Sequence, residues 1–141
     1  MCAQAAAPCV SGATIPKLAS LVAATVGALQ LRAAANLYIS GRGARSALGM
    51  HTDTSHVLIV QVLGSKRWRV HGPPPVAFGT AHPLERGKNG DTLTASEAGP
   101  EAVHTVLRPG GLLYIPAGHP HLADSAHDGA EEISLRLTIG L

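Results

Sequence analysis

The residues best suited to chemistry in this sequence begin with a histidine and an aspartate two positions apart, His51 and Asp53. Side chains at positions i and i+2 of an extended chain point to the same face, so this imidazole and carboxylate could bind one metal ion together. The same pattern also arises by chance in many chains, where both side chains are simply solvated. A third ligand is therefore needed before the pair indicates a metal site.

A candidate for that third ligand follows a strongly marked turn in the second half of the chain. Residues 112–116 have the character of a buried strand, Pro116-Ala117-Gly118 forms the turn, and His121 opens the next strand. An imidazole at that position could face back across a barrel. Two histidines and one carboxylate leave open metal positions, which suits non-haem Fe(II) and oxygen, whereas zinc prefers a closed or nearly closed tetrahedral site.

Short strands must position these three residues, because apolar positions after residue 31 alternate or form short runs. Strands are predicted over residues 36–40, 56–64, 67–71, 103–108, 112–116, 121–125 and 133–140, with residues 72–101 as an insertion between strands. The 16 glycines and 10 prolines favour many turns over long helices. The fold class is therefore all-β dominated, either a sandwich or a barrel.

A short N-terminal helix is the exception to this strand pattern. Apolar residues recur at helical spacing and predict a helix over about 16–31; they are Leu18, Leu21, Val22, Val26 and Leu29. The apolar run is shorter than the roughly 18–20 residues that a membrane span needs, so no span is expected. Residues 1–15 are predicted to be a flexible N-terminal tail, which leaves residues 16–141 as one domain.

Charge and cysteine usage narrow the expected partners and location. The 11 Lys and Arg against 9 Asp and Glu give a net charge of +2, without a concentrated basic face, so direct nucleic-acid binding is not expected. Cys2 and Cys9 lack the spacing of a zinc site and are interpreted as free thiols, although a bridge confined to the tail is open to them. With no secretory signal pattern, an intracellular location is expected, cytoplasmic or, in a eukaryote, nuclear or nucleolar.

Five segments together give the sequence a family resemblance. They are residues 36–40 (NLYIS), 51–53 (HTD), 57–70 (VLIVQVLGSKRWRV), 113–121 (LYIPAGHPH) and 134–138 (SLRLT). In these segments the chain resembles the JmjC-type oxygenases of the double-stranded β-helix (jelly-roll, cupin) fold, specifically their ribosomal-oxygenase branch. The resemblance covers roughly residues 16–141. Its most specific part is the stretch from Gln61 to Arg69, which follows the His-X-Asp pair.

The resemblance implies the roles of the site residues. His51, Asp53 and His121 match the family's iron ligands, and Lys66 matches the basic residue that pairs with the distal carboxylate of 2-oxoglutarate. That carboxylate needs a charged hydrogen-bond partner inside the barrel. Without the resemblance, Lys66 would be interpreted as a solvated lysine beside a turn.

Several further residues are weaker candidates. Asn36 and Tyr38 share one face of their strand, and the resemblance places that face toward the co-substrate pocket, although hydrogen bonding in the core or at the sheet edge explains them equally well. Thr138 shares a face with Arg136, and the family more often carries histidine at the position of Arg136. His119 is interpreted as lying beside the site or at the surface, and Trp68 as core packing.

The implied activity is an Fe(II)- and 2-oxoglutarate-dependent dioxygenase that uses O2 to hydroxylate a protein side chain. The resemblance makes a histidine or arginine of a ribosomal protein the first expectation, with histone lysine demethylation as another; an oligomer is possible. Compared with this branch, the sequence is expected to lack the further domains that follow the barrel and to have a shortened entry to it. The alternatives are therefore a non-catalytic cupin-fold metal-binding or interaction module, or a truncated inactive paralogue.

Overall fold

Two antiparallel sheets form the framework of the computed structural model, which describes residues 9–11, 16–30, 32–42, 48–72, 86–88, 91–125 and 133–141. The strands in these ranges are β1 (Cys9–Ser11), β2 (Ala34–Ser40), β3 (Val57–Leu63), β4 (Lys66–His71), β5 (Glu101–Leu107), β6 (Leu112–Ile115), β7 (His121–Asp124) and β8 (Ser134–Gly140). The helices are α1 (Pro16–Leu29) and α2 (Ala95–Ala98). All seven predicted strands and the predicted helix are present, with ends that differ by one or two residues.

Two short elements were not predicted. Strand β1 lies within the predicted tail, where residues 9–11 instead pair antiparallel with β2. Helix α2 lies within the predicted insertion, and Thr94 and Glu97 form a capping box at its start. The rest of the tail, residues 73–85 and 89–90 of the insertion, and the two cysteine thiols lie outside what the structure describes.

The order of the strands is that of a double-stranded β-helix. The larger sheet has the order β1-β2-β8-β3-β6 and the smaller one the order β5-β4-β7. The chain crosses from one sheet to the other between β3 and β4, between β5 and β6, between β6 and β7, and between β7 and β8. These repeated crossings wind the chain around one barrel interior and confirm the predicted jelly-roll fold.

The space between the two sheets contains the main hydrophobic core. Its buried members come from five strands and are Val57, Ile59, Trp68, Val70, Leu107, Ile115 and Ala123. A second cluster on the outer side of the larger sheet consists of Ala35, Leu137 and Ile139, against which Val22 of α1 packs. Val26 and Leu29 are 38% and 49% exposed, so the predicted apolar stripe of the helix contacts the barrel less fully than its spacing suggests.

The link between β3 and β4 requires a glycine. Gly64 has a φ of 62°, in the left-handed region that only glycine adopts readily. A Cβ at this position would collide with the backbone carbonyl oxygen of Ile133. This turn carries the chain from the larger to the smaller sheet and places Lys66 at the start of β4.

Replacing Gly64 with alanine is expected to lower the free energy of unfolding by more than about 2 kcal/mol, since strain and collision add. Gly110→Ala is the matched control, because Gly110 has a φ of 86° but no atom within 4 Å of the position that its new methyl group would occupy. In this control the free energy of unfolding should fall only by the cost of the backbone strain, about 1 kcal/mol. Urea unfolding of both variants checks this, and equal losses would contradict the role of the collision.

Candidate metal centre

Three predicted ligands lie together at one end of the barrel. The nearest ligand atoms of His51, Asp53 and His121 all lie within 4.8 Å of one another. Backbone hydrogen bonds join His51 to the first residue of β7: the amide of His51 donates to the oxygen of His121 at 3.1 Å, and the amide of His121 donates back at 2.8 Å. This bridge holds the two imidazole rings side by side, with 4.3 Å between their centroids.

The turn before β7 fixes the position of the aspartate. The amide of Gly118 donates to the carbonyl oxygen of Asp53 at 2.8 Å, and the amide of His119 closes the turn onto Pro116 at 3.2 Å. One oxygen of the carboxylate, Oδ2 of Asp53, then lies 3.4 Å from Nε2 of His121. The Pro-X-Gly turn thus positions two ligands, the histidine that follows it and the aspartate that it contacts.

Hydrogen bonds orient both imidazole rings. Nδ1 of His51 lies 2.9 Å from the carbonyl oxygen of Gly49, and Nδ1 of His121 lies 2.9 Å from that of His119. A carbonyl oxygen can only accept, so each Nδ1 carries a proton, and Nε2 is the ring atom of each histidine that is left for a metal. Such a contact on the far ring nitrogen is how metal-binding histidines are usually held.

Electrostatics keep His51 and Asp53 in the charge states that a metal requires. Burial, together with the neighbouring His121, lowers the pKa of His51 to about 3, so this imidazole is neutral at physiological pH. Burial alone would raise the pKa of Asp53, but the hydrogen bond from His121 and the charge of Lys88 outweigh it and hold that pKa well below its usual value. A carboxylate and a neutral imidazole are ligands that divalent transition metals accept.

Sequence reasoning missed a cation beside this group. Nζ of Lys88 contacts Oδ1 of Asp53, the carboxylate oxygen that does not face His121. The segment that carries Lys88 is tied to the buried Thr52 by paired hydrogen bonds with the backbone of Arg86, 3.0 and 2.7 Å long. Lys88 lies 35 positions beyond Asp53, in a stretch without strand or helix periodicity, so no local signal could have revealed the contact.

The other predicted pocket residues line the barrel interior. In the sheet register Thr138 pairs with both Asn36 and Ile59, while Arg136 pairs with both Tyr38 and Gln61. Directly paired residues share a face, and Ile59 belongs to the core between the sheets. This face therefore points into the barrel.

Lys66 is the most deeply buried of the predicted charged residues, with 4% of its surface exposed. Its Nζ donates to Oγ of Ser40 at 2.6 Å. Burial and the nearby Arg136 lower the pKa of Lys66 to about 7. The interpretation of Lys66 as a solvated lysine is therefore wrong, since it is an interior cation.

Two further interpretations can be compared with the structure. Trp68 is 2% exposed and belongs to the core, which confirms its packing role, and its ring centroid lies 6.2 Å from that of His121. His119 is half-buried, and its Nδ1 lies 3.5 Å from the carbonyl oxygen of Ala117. It is not a member of the three-residue group. Neither of the helices described is long and apolar enough to cross a membrane.

The chain is similar to known proteins over most of its length. The JmjC domain family matches residues 15–141. Ribosomal oxygenase 1 of Gallus gallus is 35% identical over 107 residues, which are 76% of this chain and 16% of that protein. The bifunctional lysine-specific demethylase and histidyl-hydroxylase NO66 of Drosophila persimilis is 32% identical over 105 residues, which are 74% of this chain and 14% of that protein.

The chain is also similar to a solved structure of a ribosomal oxygenase. The ribosomal oxygenase YcfD of Escherichia coli, in complex with cobalt and succinic acid, is 25% identical with a TM-score of 0.50, and the match covers 75% of this chain and 22% of that one. The match spans only 16% and 14% of the lengths of the two curated relatives. The family match includes every strand from β2 to β8 and all three members of the metal-binding group. The chain therefore belongs to the JmjC domain family.

Proposed function

We propose that this chain is an Fe(II)- and 2-oxoglutarate-dependent oxygenase domain that hydroxylates a protein side chain. One observation carries the proposal: a group of two histidines and one carboxylate lies at the end of a barrel whose interior holds a buried cation, Lys66. The first half of this arrangement suits a metal with open positions, and the second suits an anionic co-substrate.

The donor set fits iron. His51 and His121 would hold it through Nε2, because both Nδ1 atoms are engaged with carbonyl oxygens. Asp53 would hold it through Oδ2, since Lys88 contacts the other oxygen. Bound iron would supply the activation of O2, coupled to the oxidative decarboxylation of 2-oxoglutarate.

Lys66 would hold the distal carboxylate of 2-oxoglutarate. On β4 it shares a face with Val70, the strand partner of His121. Four residues of strand at ~3.3 Å each separate their Cα atoms by roughly 13 Å, a distance that the lysine side chain and a five-carbon dicarboxylate together can span. Trp68 lies between them on the same face, and with Ile59 and Ile115 it excludes water from the reacting groups.

The names of the relatives support a protein substrate. One relative is called a ribosomal oxygenase, and another is called a histidyl-hydroxylase and lysine-specific demethylase. We therefore include in the proposal a histidine or arginine side chain of a ribosomal protein as the substrate, ahead of a methylated histone lysine. An intracellular location stays a prediction.

The test is the formation of succinate. The purified chain is mixed anaerobically with Fe(II) and 2-oxoglutarate, O2 is admitted, and succinate is followed over time, with His51→Ala as the control. Succinate that depends on His51 is the expected result. Metal binding without succinate would contradict the oxygenase proposal and favour a metal-binding module.

A further inference from the structure

A second cation shares the barrel interior with Lys66. Arg136 lies in the middle of β8, on the face that points between the two sheets, with Tyr38 and Gln61 as its direct strand partners. Lys66 approaches the same region from β4 and is nearly completely buried. Two positive side chains from opposite sheets therefore occupy one compartment.

Aromatic rings hold the guanidinium of Arg136 in place. Its Cζ lies 4.6 Å from the ring centroid of Tyr38 and 5.2 Å from that of Trp68. A guanidinium that stacks on aromatic faces keeps its N–H donors in its own plane, which is the plane in which a carboxylate accepts from it. The ring of Trp68 also lies near His121, so one side chain connects the arginine to the metal centre.

The two cations disfavour each other when the compartment is empty. The charge of Arg136 adds to burial in lowering the pKa of Lys66. The hydroxyl of Ser40, which accepts from Lys66, brings no negative charge. Asp124 does raise that pKa, but its carboxylate is paired with Arg67 at 3.0 Å, on the opposite face of the smaller sheet. A bound anion would offset the repulsion.

We propose that Arg136 is a second carboxylate-binding residue, which shares the distal carboxylate of the co-substrate with Lys66 and makes the pocket select dicarboxylates over monocarboxylates. The inference rests on the proposed function, because that function supplies the dicarboxylate. A carboxylate has two oxygens and accepts up to four hydrogen bonds, so an ammonium and a guanidinium can bind it together. Arginine stands here where the resemblance leads one to expect histidine.

Trp68 provides a direct readout, because it is the chain's one tryptophan and contacts Arg136. The full chain is titrated with glutarate, and with pentanoate as its monocarboxylate analogue, both without metal and with Zn(II). Glutarate is expected to change the Trp68 fluorescence in a saturable way at concentrations where pentanoate does not. No saturable change with glutarate under either condition would overturn the proposal.

Substitutions assign the effect to Arg136. Arg136→Met keeps an apolar chain between the two rings and should weaken glutarate binding about tenfold or more, the size expected for losing a charge-assisted hydrogen bond. Arg67→Gln is the matched control, since Arg67 lies next to Lys66 with its guanidinium on the opposite face; it should bind glutarate as the wild type does. If the methionine variant does not fold, Arg136→Gln takes its place in the glutarate titration, with the same weakening expected.

Stability separates a binding role from a structural one. If Arg136 serves the ligand, glutarate should raise the thermal midpoint of the wild type by more than it raises that of Arg136→Met, because the variant lacks one of the two cations that bind the carboxylate. If Arg136 is purely structural, glutarate should raise both midpoints equally and the relative affinities for glutarate and pentanoate should be unchanged, which would overturn the proposal.

The succinate assay keeps this inference distinct from the proposed function. Glutarate binding that depends on Arg136, in a chain that forms no succinate, would support the pocket and reject the oxygenase. Succinate formation by the wild type, with equal glutarate affinity in folded Arg136→Met, would support the oxygenase and reject the role of Arg136.

Discussion

Replacing Asp53 with alanine is expected to abolish metal-dependent activity and to weaken metal binding by more than 100-fold. Loss of a partner outside the ligand set already costs about 10–100-fold in such sites, and Asp53 is itself the one carboxylate of the group. The substitution removes the negative charge that offsets the metal, and it leaves Lys88 facing the site without its partner. The positive charge of Lys88 would then repel the metal ion from its site.

Cobalt provides the measurement, since its visible absorption reports the number and type of its ligands. The wild type should bind Co(II) with a spectrum that changes when 2-oxoglutarate is added, and Asp53→Ala should show neither effect. Glu101→Ala is a suitable control, because that carboxylate is exposed on β5. Unchanged Co(II) affinity in folded Asp53→Ala would show that the three-residue group is not the metal site.

The sequence made the metal group predictable because its signals are local. His51 and Asp53 are two positions apart, and His121 lies three positions after Gly118, the last residue of a turn that the Pro-X-Gly pattern marks. Both imidazole orientations likewise depend on carbonyl oxygens only two residues away. Short-range chemistry of this kind is visible without knowledge of the fold.

The surroundings of the group were not predictable in the same way. Lys88 reaches Asp53 from a segment without periodicity, and only the docking of Arg86 on Thr52 brings it there. Strand β1 is too short to show a pattern and forms only because β2 offers an edge. The proximity of Arg136 to Lys66 follows from the way two sheets face each other, a relation that no single strand displays.

The partly exposed helix α1 also shows that sequence periodicity predicts an element better than it predicts how deeply that element is buried. Its apolar spacing correctly predicted α1, but Val26 and Leu29 remain substantially exposed while Val22 packs on the sheet. Periodicity indicates which side of a helix is apolar, whereas the curvature and length of the partner sheet decide how much of that side is covered.

Replacing Lys66 with methionine is expected to leave metal binding intact and to weaken 2-oxoglutarate binding by about 30-fold or more, the cost of removing one partner from a buried charged pair. The affinity of the wild type should also fall as the pH rises above about 7, because the pKa of Lys66 in the ligand-free protein is about 7 and the co-substrate needs its charged form. Titration calorimetry with Mn(II) present, at pH 6.5 and pH 8.5, measures both effects. A variant that binds 2-oxoglutarate as tightly as the wild type would exclude Lys66 from the pocket.

The same lysine makes a second and independent prediction about the ligand-free protein. Its pKa is about 7 in the folded chain and 10.5 when unperturbed, so between these values the unfolded chain binds a proton that the folded chain does not. The free energy of unfolding should therefore rise with pH across this window, by up to about 1.4 kcal/mol per unit, and gain nothing from Lys66 below pH 7. In Lys66→Met this contribution should vanish, and the variant should be more stable than the wild type near pH 6.5. Urea unfolding at pH 6.5 and pH 9 measures this free energy for both proteins. An identical pH dependence in the two would mean that burial does not lower the pKa of Lys66.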